Sequence, residues 1–143
     1  MTSGYFDPLH VGHIELFKLA RELGDKLIVV INNDEQMEVK RGGKPFMPLE
    51  ERKAIIEAIQ YVDEVFVSVD KDLPVIESIK ELHKQGKIHV FAKGGDRFEG
   101  EIPETPICRE LGIEIIDGLG EKKQSSSWLI KRNQKELNSD KIN

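Results

Sequence analysis

This 143-residue sequence has one cysteine, one tryptophan, two tyrosines and no excess of basic charge. A lone Cys108 excludes an internal disulfide and has no partner at zinc-ligand spacing, which fits a reducing cytoplasm and a small buried side chain. No stretch approaches the ~20 apolar residues of a membrane span, and no basic segment followed by an apolar run opens the chain. Both absences point to a soluble, cytoplasmic protein. Lys and Arg total 21 against 26 Asp and Glu, a net charge of −5, so neither a nucleic-acid groove nor an anionic membrane surface is expected as partner. The length suits one domain, placed at 1–133, followed by a polar, frayed tail at 134–143.

What the sequence does contain is an alternation. "GHIELFKLARELGD" sets Ile14, Phe17, Ala20 and Leu23 at helical spacing, with Gly24 as a stop. "KLIVVINN" then reads as a strand buried on both faces. The polar stretch "DEQMEVKRGGKPFMP", with Gly42, Gly43, Pro45 and Pro48, reads as a mobile loop. A second helix follows, with Ile55, Ile59 and Val62 on one stripe and Ile56 beside it, and then the strand "EVFVSV". "LPVIESIKELHKQG" is a third helix with Pro74 in its first turn, and "IHVFAKGGD" is a strand running into a glycine pair. "TPICRELG", "IEIIDG" and "SSSWLIKRNQKEL" complete the pattern as helix, strand and serine-capped helix.

Such alternation predicts an α/β fold, a Rossmann-like three-layer α/β/α sandwich around a five-stranded parallel sheet. The ligand crevice of such a sheet lies beyond the carboxyl ends of its strands. "SGYFDPLHVGH", the 33–48 loop, "KGGDR" and the serine run all fall at such ends, which predicts one active site. The first strand has only residues 1–3 to occupy, so an apolar segment is expected to be missing ahead of them.

His10 and His13 lie three apart at a helix entrance, where unpaired backbone N–H groups and the helix dipole favour an anion. Gly12 between them permits close approach of a ligand to the backbone. Zinc binding is poorly supported, because no Glu or Cys stands close by in sequence.

The ten residues Gly4 to His13, "GYFDPLHVGH", resemble the G-x-F-D-x-x-H-x-G-H signature of the nucleotidylyltransferases that include glycerol-3-phosphate cytidylyltransferase, archaeal FAD synthase and the adenylyltransferase half of ADP-heptose synthase. A basic loop, "EERK" at a helix start, "KGGD" and a serine-rich cap follow in the family's order, so the resemblance spans residues 3 to about 132. The Gly-Gly-Asp turn looks most like the heptose-type enzymes of lipopolysaccharide core biosynthesis. "RFEGEIPETPICRELG" and "QSSSW" depart from that pattern, and a triple serine also occurs in the FAD-synthase branch.

The resemblance implies transfer of a nucleoside monophosphate from ATP or CTP to a phosphate monoester, such as heptose 1-phosphate, with release of pyrophosphate. Glycerol 3-phosphate and FMN are the alternative acceptors. A phosphate monoester is mostly dianionic at neutral pH, so no general base is needed. Carried over by position, His10, His13 and Lys44 are the catalytic residues. Gly4, Tyr5, Phe6, Gly12, Lys40, Gly94, Gly95, Asp96, Ser125, Ser126 and Ser127 bind the nucleotide. Asp7, Arg52 and Arg97 are placed at the acceptor, Asp7 with loop ordering as its other reading. Lys40, Arg41 and Lys44 remain alternatives for the phosphate contact. Mg²⁺ is expected to arrive with the triphosphate, with no dedicated protein metal site, and the family resemblance implies a homodimer. A non-catalytic nucleotide-binding regulator and a fragment of a class I aminoacyl-tRNA synthetase are the readings from other classes.

Overall fold

The computed structural model describes residues 1–95, 101–120 and 126–142. Its elements alternate as read: β1 (Thr2–Gly4), α1 (Val11–Arg21), β2 (Ile28–Ile31), α2 (Asp34–Arg41), α3 (Leu49–Glu57), β3 (Glu64–Val67), α4 (Ile76–Lys84), β4 (Val90–Gly94), α5 (Thr105–Leu111), β5 (Glu114–Leu119) and α6 (Ser126–Ile142). Helix α6 runs through the position where the polar tail was set apart. Among the described residues, no helix is long and apolar enough to cross a membrane.

Every described strand pairing is parallel. The ladder divides into three strands, in the order β1-β2-β3, and two, β4-β5, where a single five-stranded sheet was expected. The division has a local cause. Strand β1 lies beside β4, and at this seam Met1 makes two bonds: its amino group donates to Val90 O at 2.7 Å, and its carbonyl accepts from the Ala92 N–H at 2.8 Å. One residue exchanging two bonds joins the sheets edge to edge, with β1 between β2 and β4, without building a ladder.

Strand β2 sets the layers. Its four residues are all buried, and alternate side chains enter opposite faces. Ile28 and Val30 join Ile79 and Leu82 of α4, Phe91 of β4, and Ile107 and Cys108 of α5. Val29 and Ile31 join Phe17 and Ala20 of α1, Ile56 of α3 and Ala92 of β4. Each Val, Leu, Ile or Phe among them contributes about 1.5–3 kcal/mol on burial. The fold is therefore α/β and Rossmann-like, with helices on both faces. Cys108 is wholly buried, and burial pushes its thiol up to about 11.

Three sequence expectations are corrected. The stretch taken as a mobile loop begins with α2: Asn33 caps it by accepting from the Gln36 N–H while Gln36 returns a bond to Asn33 N–H, and Gly42 closes it at φ 72. On α1, Phe17 and Ala20 are buried while Ile14 is exposed, and Leu23 lies beyond the end of the helix and is also exposed. On α3, Ile55 is 44 % exposed, and the inward positions belong to Arg52 and Ile56.

Candidate active site

The carboxyl end of β1 runs into Tyr5–Leu9 and then into α1, whose N-cap is His10, extended at φ −149 and ψ 175. His10 Nδ1 accepts from the Gly12 N–H at 3.1 Å, and His13 Nδ1 accepts from the His10 N–H at 3.2 Å. Two imidazoles thus form the reciprocal cap that Ser and Glu make in other helices. Their rings stack at 3.8 Å with 24° between planes. Because each Nδ1 accepts, hydrogen-bond geometry assigns the ring proton to Nε2. Burial lowers the pKa of His10; burial, and then the neighbouring His10, take His13 down to about 3. The site therefore presents two neutral N–H donors at a helix N-terminus.

Phe6 stands under this pair. Its ring meets His13 edge-on at 4.9 Å and Phe17 at 5.3 Å, and its backbone takes the left-handed φ of 53. A Cβ on Gly4 would lie 2.9 Å from Phe6 Cζ, so glycine at that position makes room for the ring. Phe6 is 2 % exposed, and its ring packs beneath the histidines. Gly12 has its N–H committed to His10. Tyr5 is half-buried with Lys40 Nζ 4.0 Å from its ring centroid, a cation–π contact. Its hydroxyl is enclosed without a hydrogen-bond partner among the described residues, and burial raises its pKa.

Asp7 and Arg52, the two residues assigned to the acceptor that fall among the described ones, are both held by bonds within the protein. Asp7 is wholly buried: Oδ2 accepts from Arg41 Nη1 and the Phe46 N–H, both at 2.8 Å, and Oδ1 from the Met47 N–H at 2.6 Å. Arg41 Nη2 adds a bond to Asp7 O. Arg52 is equally buried and donates to the carbonyls of Met47, Tyr5 and Asn32 and to Asp34 Oδ1. Burying these charges is tolerable only because their hydrogen-bonding groups are paired. Their role is to fasten the 41–47 segment to the ends of β1 and β2. Of the three basic alternatives, Arg41 is committed to Asp7 and Lys40 to the Tyr5 ring. Lys44 is exposed and has no ion-pair partner among the described residues.

On the β4 side, a Cβ at Gly94 would meet Leu16 Cδ1 at 3.0 Å, so this glycine lets α1 approach the strand. Gly95 has φ +82 and open space where a Cβ would be. Asp96, Arg97 and Ser125 lie outside the described residues, while Ser126 and Ser127 open α6. The start of α1, which follows β1, and the end of β4 thus share the carboxyl edge of the sheets. A cavity at the opposite edge, lined by Met1, Ile28, His89 and Val90 among others, contains none of these residues. Two contributions escaped sequence reasoning: the Phe46 and Met47 amides, which carry no side-chain signature, and Asn33, whose spacing to Gln36 is a capping-box signal.

A family model described as cytidylyltransferase-like matches residues 1–136. FAD synthase of Pyrococcus abyssi is 40% identical over 116 residues, covering 80% of this chain and 74% of that protein. The bifunctional protein HldE of Streptomyces coelicolor is 38% identical over 116 residues, but the chain spans only 24% of its length. A solved structure, the lipopolysaccharide core biosynthesis protein from Thermoplasma volcanium, superposes with a TM-score of 0.63 at 24% identity, over 82% of this chain and 92% of that one, and supports the fold. On the histidine-capped helix, the parallel sheets and the match over 1–136, the chain belongs to the cytidylyltransferase-like family and is a nucleotidyltransferase.

Proposed function

We propose that the enzyme transfers an adenylyl group from ATP to a phosphate monoester and releases pyrophosphate. The observation that carries this reading is the stacked pair His10 and His13, neutral and oriented by their Nδ1 bonds so that both Nε2–H groups are donors. Neutral donors suit charge that develops on the α-phosphate and the leaving pyrophosphate, because their orientation is set before reaction. An acceptor phosphate oxygen forms a bond to the α-phosphorus, and the bond to the pyrophosphate oxygen breaks with its electron pair leaving on pyrophosphate. No proton needs removal from a dianionic acceptor. The start of α6, with Ser126 and Ser127, offers N–H groups to the outer phosphates, and Lys44 supplies a cation to the triphosphate.

Mg²⁺ enters with the nucleotide in this reading. An ion carried in this way is ligated mainly by phosphate oxygens and water. For the acceptor, FMN and a sugar phosphate such as heptose 1-phosphate are supported equally. Relatives named FAD synthase match along most of their own length, and relatives named HldE match at similar identity over part of theirs. Pyrophosphate release with ATP or CTP against FMN, heptose 1-phosphate and glycerol 3-phosphate, with Mg²⁺ present, tests the reading. Turnover is expected with ATP and one of the first two acceptors. Turnover with CTP alone would reassign the nucleotide, and nucleotide binding with no turnover across a wider panel of phosphate monoesters would leave a binding protein.

A further inference from the structure

One buried carboxylate closes the loop that carries Lys44. Asp7 Oδ2 takes the Arg41 guanidinium and the Phe46 N–H, and Oδ1 takes the Met47 N–H, so both ends of the 41–47 segment converge on a single side chain. Arg52 holds the other side of Met47, donating Nε to its carbonyl at 3.0 Å. Asp7 stands three residues before the capping His10, and Lys44 two residues before Phe46. At ~3.8 Å per residue step, the Lys44 Cα lies within about 8 Å of the Phe46 Cα. Asp7 is 0 % exposed and ties the loop to the segment that ends in the histidine cap.

We propose that Asp7 is a positioning residue: it fixes the 41–47 loop so that Lys44 is presented to the triphosphate beside His10 and His13. This rests on the reading of the site given above, in which Lys44 meets the phosphates. A loop closed only by its covalent ends would spread Lys44 over many positions and lose binding to that disorder. Binding partners at both ends of the segment removes most of that freedom.

The test is a cycle of ATP affinities measured on the full chain carrying Lys44→Ala, Asp7→Asn, or both, with amide hydrogen exchange at Phe46 and Met47 followed in each. Lys44→Ala and Asp7→Asn are each expected to weaken ATP binding about tenfold, the scale of one charge-assisted hydrogen bond. The double variant is expected to lose no more than Lys44→Ala alone. Exchange at Phe46 and Met47 should quicken only in the Asp7 variants. Should Asp7→Asn fail to fold, Arg41→Ala keeps both main-chain bonds to Asp7 and is expected to give a smaller loss, again absent in the Lys44→Ala background. If the losses multiply to about a hundredfold, the proposal is overturned while Lys44 keeps its role. Unchanged affinity in Lys44→Ala overturns both.

Discussion

Two histidines do at the start of α1 what a hydroxyl and a carboxylate do elsewhere, and the substitution changes the chemistry offered at that helix end. Each ring spends Nδ1 on the backbone and keeps Nε2–H as a donor whose direction is fixed. His10→Ala and His13→Ala are each expected to lower kcat by about 10²–10³, the scale of losing one preorganised donor, with a much smaller change in ATP affinity. Steady-state rates beside ATP titrations separate the two, and equal losses would place the histidines in ground-state binding. The pH dependence follows from the buried neutral ring. In the unfolded chain a histidine titrates near 6.5, whereas folded His13 titrates at about 3, so between those values the unfolded state binds more protons. The stability from keeping His13 neutral is complete above about pH 6.5 and declines as pH falls toward 3. His13→Gln should therefore flatten the stability profile between about pH 4 and 6.5 in urea titrations. A slope equal to that of the parent would mean that the ring is solvated.

Helix α2 is the element on which periodicity failed, for a plain reason: only Gln36 and Met37 are buried on it, and one apolar side chain makes no stripe. Capping, rather than burial, marks its start. Asn33 closes the box with Gln36 and also donates its amide to Ser68 O and Asp70 O at 2.9 and 2.8 Å, tying the helix to the segment after β3. Asn33→Ala is expected to cost about 1–2 kcal/mol, the cap together with the tethers, read as a shift in urea midpoint at unchanged slope. A change within a few tenths would mean that the cap is dispensable. Helix α3 shows a different failure. Arg52 and Ile56 share its inward face one turn apart, and an arginine buried among carbonyls reads in sequence as a surface residue. That moved the expected stripe round to Ile55. The same arginine was legible as important, and its described bonds run to Met47, Tyr5, Asn32 and Asp34.

The two sheets behave as one molecule because the clusters cross the seam between them. Phe91 of β4 packs with Ile28 and Val30 of β2, and Ala92 packs with Val29 and Ile31, so neither ladder has a core of its own. Phe91→Ala is expected to cost about 3–5 kcal/mol and to leave a single unfolding transition, with calorimetric and van't Hoff enthalpies equal. Two transitions would mean that the ladders unfold separately. The alternation of strands and helices, the parallel sense and the histidine site were all determined by the sequence alone. The alternation and the histidine cap depend on contacts within a turn or a strand, Gly12 and His13 lying two and three residues from His10, and the parallel sense follows from a helix crossing over between successive strands. Which cation pairs with Asp7, and which segment that carboxylate fastens, was decided only by tertiary structure. Asp7 meets Arg41 and Met47 at sequence separations of 34 and 40, and Arg52 meets Tyr5 at 47. Local pattern carries no information about pairings at that range; they form when the chain closes the ends of β1 and β2 around two charges that must be buried together.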